Sequence, residues 1–130
     1  MGTGVRVVDE QRIYVIVAST VQAVRNVVQP SGRQIAQACH VTSKLRWQAA
    51  TLGGSAMLQG VFTTIILQAR DLAEMGHIHH LLHKKKLNPV MFSDTNSEYG
   101  PGEWPTAVAV LATKKQIRGI LDYLPLWKGV

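Results

Sequence analysis

The sequence predicts a single small α/β domain, in which a mixed, mostly parallel four-stranded sheet carries helices on both faces. The chain has 130 residues, a usual length for one domain with one hydrophobic core. Apolar residues make up 46% of it and charged residues 17%, a balance typical of globular proteins. Short β-branched runs alternate with amphipathic segments, which indicates crossover connections and three layers. We expect the domain to occupy residues 1–130, with its core at about 12–127.

Four apolar runs rich in β-branched residues predict the four strands. They lie at residues 13–18 (IYVIVA), 61–67 (VFTTIIL), 90–92 (VMF) and 106–112 (TAVAVLA). Runs without polar alternation are typical of strands that are buried on both faces. The polar stretch between the third and fourth runs contains Gly and Pro, which predicts a loop there.

The first helix is predicted to follow a longish loop that turns at Pro30. Ser31 and Gln34 have the spacing of a capping box, so the helix should begin at Ser31 and run to about Ala50. Spacings of three and four residues predict a stripe that faces the core and leaves Gln37 pointing elsewhere. The stripe contains Ile35, Ala38, Cys39, Thr42 and Leu45.

Two further helices are predicted in the second half of the chain. Residues 70–84 have apolar side chains at helical spacing and lie between the second and third strands. Thr113 can cap a last helix after the fourth strand. This last helix contains Ile117, Ile120 and Leu121.

The charge of the chain favours a polyanionic partner. Fourteen Lys and Arg residues stand against eight Asp and Glu residues, a formal net charge of +6. Charge that serves only solubility explains the same excess, so both interpretations stay open. Cys39 is the only cysteine, which excludes a disulfide within one chain and fits an intracellular protein. Since no apolar run is long enough to span a bilayer and no secretion signal is present, we expect a cytoplasmic protein with no membrane partner.

The nine residues from Gly32 to His40 (GRQIAQACH) predict a helix start that faces an anion. The first amides of a helix lack partners within the helix, and Arg33 adds positive charge. A capped helix with a solvated Arg explains the same residues. The segment resembles the first helix of the type II (archaeal and eukaryotic) peptidyl-tRNA hydrolases, which carries Gly-Lys-x-Ala-Ala-Gln-x-x-His. Gly32, Ala36, Gln37 and His40 match this motif, and Arg33 stands where the family has Lys.

A second motif supports the same resemblance. The family has Asp-Ala-Gly-Arg-Thr-Gln after its third strand, followed by a Gly and by a Thr that opens strand four. Asp94, Gly102 and Thr106 fall on this pattern without a gap, whereas residues 95–99 (TNSEY) replace Ala-Gly-Arg-Thr-Gln and introduce Glu98. The order of elements is similar from residue 13 to about 127, including an apolar C-terminal tail.

The resemblance implies an ester hydrolase that needs no cofactor and releases tRNA from a peptide or another acyl group. This reaction needs a positioned water, a group that takes its proton, and donors for the developing oxyanion. Asp94 is expected to orient or deprotonate the water. Arg33 is expected to act by charge alone, because a guanidinium keeps its proton near neutral pH. Gln37 is expected to bond substrate or Asp94, and Thr106 to supply a hydroxyl, although a purely structural role explains each of them equally well.

Further residues are expected to bind the tRNA. Gly32 and His40 are expected to line the site, and Trp104 to stack on a base of the tRNA end, although packing in the core explains His40 and Trp104 as well. The lysines that follow the second helix are expected to meet RNA phosphates, together with four nearby histidines. These residues are Lys84, Lys85 and Lys86, with His77, His79, His80 and His83.

The four histidines have spacings that could share a metal ion. The sequence has no carboxylate at the inner spacing of a His-Glu-x-x-His motif, and the lysine run would repel a cation. We therefore expect no metal site.

Two other classes of function stay open. One is a non-catalytic RNA-binding module that kept the hydrolase fold, and the other is a domain that serves only as a dimerising scaffold. Turnover of a peptidyl-tRNA separates the enzyme from both, and salt-dependent tRNA binding separates the module from the scaffold. A homodimer is compatible with all three.

Overall fold

The computed structural model describes residues 10–22, 26–51, 62–95 and 101–128. The described strands, in chain order, are β1 (Gln11–Ala18), β2 (Thr20–Gln22), β3 (Asn26–Val28), β4 (Thr64–Ala69), β5 (Val90–Asp94) and β6 (Trp104–Thr113). The described helices are α1 (Ser31–Thr51), between β3 and β4, and α2 (Leu72–Lys84), between β4 and β5. All four predicted strands and the first two predicted helices are therefore confirmed, although the predicted start of the second strand, Val61, lies outside the described residues.

Four of the described strands form one mixed sheet in the order β4-β1-β6-β5. β1 and β4 pair in parallel, whereas β6 pairs antiparallel with both β1 and β5. Three strands thus run in one direction and β6 runs against them, which confirms the predicted mixed sheet. Because β6 lies between β1 and β5 and runs against both, only the pairing of β1 with β4 is parallel. The sheet therefore has fewer parallel pairings than the prediction of a mostly parallel sheet indicates.

The sheet buries both of its faces. Alternate residues of a strand point to opposite sides, so Ile13, Val15 and Val17 pack against α1 on one face. Tyr14 and Ile16 pack on the other face with α2 and the segment after β6. Each fully buried large aliphatic side chain of this kind stabilises the fold by about 1.5–3 kcal/mol. This explains why β1 is apolar along almost its whole length.

The helix α1 begins at Ser31, as predicted, but its orientation and the hydrogen bonds at its start differ from the prediction. Its buried residues are Gln34, Gln37, Ala38, Val41 and Leu45. Ala38 and Leu45 are buried as predicted, but Ile35 is 50% exposed and Cys39 is exposed, so the buried stripe is rotated by about one residue from the predicted one. The predicted capping box is also wrong. The side-chain NH₂ of Gln34 donates to the Gln29 carbonyl at 2.8 Å, and the side-chain oxygen of Gln34 accepts from the Trp127 indole at 2.9 Å. Hydrogen bonds of this kind allow glutamines to take core positions.

Among the described residues, neither helix combines the length and the apolar character that crossing a membrane requires.

The predicted loop between β1 and α1 contains the short hairpin of β2 and β3. Thr20 pairs with Val28 in antiparallel register. The side chain of Gln29 follows the hairpin into the interior and donates to the Ala18 carbonyl at 2.6 Å. The hairpin is thereby fixed against the end of β1, and α1 starts from a defined position.

The predicted last helix is replaced by successive turns over residues 114–123. Its predicted cap is present, because Thr113 and Gln116 exchange hydrogen bonds between side chain and backbone in both directions. The regular helix fails at Gly119, whose φ of +81° lies in the left-handed region. Ile117, Ile120 and Leu121 are nevertheless buried, as their spacing predicts.

A C-terminal tail, residues 125–127, pairs with the outer edge of β4. The amide of Gln68 donates to the Pro125 carbonyl, and the amide of Trp127 donates to the Ile66 carbonyl, both at 2.9 Å. The Trp127 indole then reaches Gln34 on α1. The tail therefore ties the edge of the sheet to the first helix.

Candidate active site

The two segments predicted to form the site meet at the carboxyl end of β5. The side-chain amide of Gln37, on α1, donates at 2.8 Å to Oδ2 of Asp94, which is the last residue of β5. Parallel α/β folds collect ligands at this end of their strands. The contact confirms the expectation that Gln37 bonds Asp94.

Two donors hold the Asp94 carboxylate. Oδ2 accepts from Gln37, and Oδ1 accepts from the backbone amide of Thr95 at 2.9 Å. The second bond is the local turn contact that an Asp at the start of a loop commonly makes. Because the first bond fixes the carboxylate from a different element, Asp94 has one orientation relative to α1.

Gln37 has an oxygen without a partner. The residue is 2% exposed, and its Oε1 has no hydrogen-bond partner among the described residues. An ionised carboxylate only accepts hydrogen bonds, so the NH₂ of Gln37 must face Asp94 and the oxygen must face elsewhere. A buried acceptor without a partner costs about 1–3 kcal/mol. This oxygen lies next to Asp94, and a hydrogen bond donated by a ligand or by a water would remove that cost.

Gly32 and Arg33 lie in the first turn of the same helix. Arg33 is partly buried and lies four residues before Gln37, which places the two side chains on one face of α1. Gly32 is exposed, and an added Cβ there would meet nothing within 4 Å. Neither packing nor backbone geometry in the described structure therefore requires a glycine at this position.

Thr106 occupies a bulge rather than an open position. Phe92 pairs with Ala107 and Ser93 with Pro105, so Thr106 has no direct partner on β5. Its side chain is fully buried, and its hydroxyl donates to the Phe92 carbonyl at 3.4 Å. In this structure the hydroxyl contacts the backbone of β5, and the expectation that Thr106 offers it to a substrate stays a prediction.

His40 is neither buried nor aimed at Asp94. It is exposed, and its ring stacks on Phe92 of β5 with centroids 4.9 Å apart. One turn further along α1, Lys44 donates to the Met91 carbonyl at 2.8 Å. Together with Gln37, these side chains fix α1 over β5 at three successive turns, and of these contacts only that of Gln37 was predicted.

Trp104 packs within the protein. It packs against Val21 of the hairpin, as does Leu72 of α2, and its indole Nε1 is enclosed without a partner among the described residues. Packing explains this residue in the structure, and its stacking on a tRNA base stays a prediction. Residues 96–100, which include Glu98, lie outside the described residues.

The lysine run lies at the opposite end of the sheet from Asp94. Lys85 reaches the Gln116 carbonyl at 3.2 Å, just beyond the end of β6 at Thr113. Asp94 pairs with Trp104 at the start of β6, nine residues earlier. Nine strand residues span about 30 Å. The lysines and Asp94 therefore cannot hold the same small chemical group.

The histidines of α2 make a stacked pair. His79 and His83 have ring centroids 6.4 Å apart, with the planes 15° from parallel. Partial burial lowers the pKa of His79 below its ordinary 6.5, and repulsion by His83 and His80 lowers this pKa further. Within the part of the chain that the structure describes, no three His, Cys, Asp or Glu side chains converge as metal ligands would.

Comparison with known proteins adds no relative: neither a protein-family model nor a curated protein matches this chain.

Proposed function

We propose that this protein hydrolyses the ester bond between a peptide, or another acyl group, and tRNA. The observation that carries the proposal is the 2.8 Å hydrogen bond from Gln37 to Asp94, which joins two sequence motifs that are 57 residues apart. Both motifs resemble those of type II peptidyl-tRNA hydrolases. Their contact at the carboxyl end of β5 is what one shared site requires.

Asp94 takes the central role in the proposed reaction. A carboxylate that two donors hold in one orientation can position a water and accept its proton as the water attacks the ester carbonyl. The unpartnered Oε1 of Gln37 accepts a hydrogen bond from the same water or from a substrate N–H or O–H. Satisfying that oxygen gives substrate binding a favourable contribution that the unliganded site lacks.

Arg33 and the start of α1 supply positive charge. The first amides of a helix and a guanidinium attract an anion, either the oxyanion on the carbonyl or the phosphate next to the terminal ribose. Arg33 keeps its proton, so it cannot serve as the acid for the leaving ribose oxygen. In this proposal that proton returns from Asp94.

The first prediction tests Asp94 directly. Purified Asp94→Asn should lose hydrolysis of a peptidyl-tRNA by at least about 100-fold, the usual lower range for general-base catalysis. Its thermal midpoint should change little, because the Asn oxygen can still accept from the Thr95 amide and the Asn NH₂ can donate to Gln37 Oε1 once the Gln37 amide turns over. The measurement is release of labelled peptide from tRNA, with thermal melts of both proteins. Asp71→Asn, which changes the N-cap of α2, is the matched control and should keep the hydrolysis rate.

A second candidate function is that of an RNA-binding module without turnover. The three exposed lysines of the run, Lys84, Lys85 and Lys86, favour it. In that case the wild-type protein binds tRNA in a salt-dependent way but releases no peptide, and Asp94→Asn binds equally well. If neither turnover nor tRNA binding occurs, the third class, a dimerising scaffold, is tested by sedimentation of the purified chain. The hydrolase and the RNA-binding module would both act in the cytoplasm, and both are compatible with a homodimer.

A further inference from the structure

A groove lies on the α2 face of the sheet, at the end remote from Asp94. Its volume is about 340 Å³, within the range of small-ligand pockets. Tyr14, Ile65 and Leu67 form its floor, and Ile117 and Leu121, from the turns after β6, form one wall. Leu126, from the C-terminal tail, is 63% exposed at its margin. The groove therefore offers a ligand mainly aliphatic surface.

Charged side chains surround this apolar floor. The cations are Arg12, Lys114 and Arg118, and the one carboxylate among the lining residues is Asp122. Asp122 accepts from the backbone amide of Gly119 at 2.8 Å and so is engaged in its own turn. The charge facing the groove is positive, which is complementary to an anion.

Arg12 provides a second observation. Its Nε is enclosed and makes no hydrogen bond among the described residues. Glu10 Oε2 lies 3.9 Å from this Nε, within ion-pair distance but too far for a hydrogen bond. Arg12 lines the groove, so its guanidinium charge faces an anionic group bound there, in competition with Glu10.

We propose that this groove binds an amphipathic anion, a carboxylate or phosphate head on an alkyl chain. The head pairs with Arg12, Lys114 and Arg118, and the chain lies along Tyr14, Ile65 and Leu67. A nucleic acid fits less well, since bases stack on exposed aromatic faces and Tyr14 is only 4% exposed. Arg12 pairs with Ala112 on β6, whereas Asp94 pairs with Trp104, eight residues earlier on the same strand. The groove and the Asp94 site are therefore apart, and the inference does not depend on the proposed hydrolysis.

Four probes test the two parts of the ligand separately by calorimetry and by amide shifts in NMR spectra. Decanoate and decyl phosphate have both a charged head and a chain, acetate has only the head, and decanol has only the chain. We expect the first two to bind saturably and to shift the amides of Arg12, Lys114 and Arg118, and the other two to bind much more weakly. The tighter of the first two identifies the head group. Absence of saturable binding, or equal binding of decanol and decanoate, overturns the proposal.

Neighbouring lysines give a matched pair of variants. Lys114 lines the groove and Lys115 does not, although both are exposed. Lys114→Gln and Arg118→Gln should each weaken decanoate binding roughly two- to fivefold, the range for a solvent-exposed charge pair. Lys115→Gln should bind like the wild type, and Asp94→Asn should too, since its site is remote. If Lys115→Gln weakens binding as much as Lys114→Gln, general surface charge rather than this groove holds the anion.

Discussion

Two glutamines of α1, three residues apart, are almost completely buried but differ in their partners. Gln34 uses both ends of its amide, donating to the Gln29 carbonyl and accepting from Trp127. Gln37 uses only its NH₂, which donates to Asp94. A fully bonded buried amide stabilises the fold, whereas a half-bonded one is costly until a ligand completes it. We therefore expect Gln34 to act in the structure and, under the proposed function, Gln37 to act in the site.

Replacing each glutamine by Met, which has a similar shape, separates the two roles. Gln34→Met removes the hydrogen bonds of Gln34 with the Gln29 carbonyl and the Trp127 indole and should lower the free energy of unfolding by about 2–4 kcal/mol. Gln37→Met should cost less than about 1 kcal/mol, because it also removes the unpartnered oxygen, yet it should impair hydrolysis. Urea titrations and the peptide-release assay measure the two effects. Equal destabilisation by both variants would contradict the assignment.

Gly32 allows a test in which stability and function are expected to change in opposite directions. An added methyl meets nothing within 4 Å, and Ala is favoured over Gly in a helix by up to about 1 kcal/mol. Gly32→Ala should therefore raise the thermal midpoint slightly. If substrate approaches the backbone here, the same methyl should raise KM. Unchanged KM in Gly32→Ala would mean that substrate does not contact this turn.

At the scale of elements, apolar strands were the easiest part of the fold to predict. A strand that is buried on both faces needs β-branched and apolar residues at every position, and β1 shows this directly in its composition. The hairpin of β2 and β3 was missed because each of its strands has only three residues. The last helix was wrongly predicted because its apolar spacing is helical, while Gly119 interrupts the backbone.

The orientation of α1 was harder to predict than its position. Burial of Gln34 and Gln37 depends on partners far away in sequence, at Trp127 and Asp94, which apolar periodicity does not reveal. The contact of Gln37 with Asp94 was predicted only because both residues lie in segments that resemble motifs of the same protein family. The packing of Trp104 on Val21 is a tertiary contact, and the bulge at Thr106 depends on the register between β5 and β6, so the sequence alone did not reveal either of them.

The histidines of α2 predict a stability that depends on pH. Because the pKa of His79 is lowered on folding, the unfolded chain binds more protons than the folded one between the lowered pKa and 6.5. Stability should therefore be greatest above pH 6.5 and should fall as the pH drops below it. Urea unfolding across this range should show a smaller loss for His79→Gln than for the wild type. His77→Gln, on the same helix, is the control and should keep the wild-type dependence.

At the scale of the whole molecule, the two ends of the sheet have different chemistry. Asp94 and Gln37 lie at one end, and the lysine run lies about 30 Å away at the other. One strand of a nucleic-acid helix carries a phosphate roughly every 3.4 Å. About nine nucleotides would therefore be needed for one RNA to reach both ends.

This separation predicts how the lysines act on RNA. Replacing Lys84, Lys85 and Lys86 by Gln should weaken tRNA binding and reduce its salt slope by roughly 0.7–0.9 for each phosphate that is no longer neutralised. The triple replacement by Arg is the matched control and should keep the slope. An acylated oligonucleotide too short to span the sheet should bind the Gln variant and the wild type equally. If the slope of tRNA binding is unchanged in the Gln variant, the lysines are only solvated surface.

The C-terminal tail has a consequence for self-association. By pairing with Gln68 and Ile66, it occupies backbone donors and acceptors along the outer edge of β4. An uncovered strand edge is a template on which another chain can add a strand, the first step of ordered aggregation. The tail thus protects this edge as well as stabilising the fold, and its detachment at Trp127 would expose an unpaired strand edge to other chains.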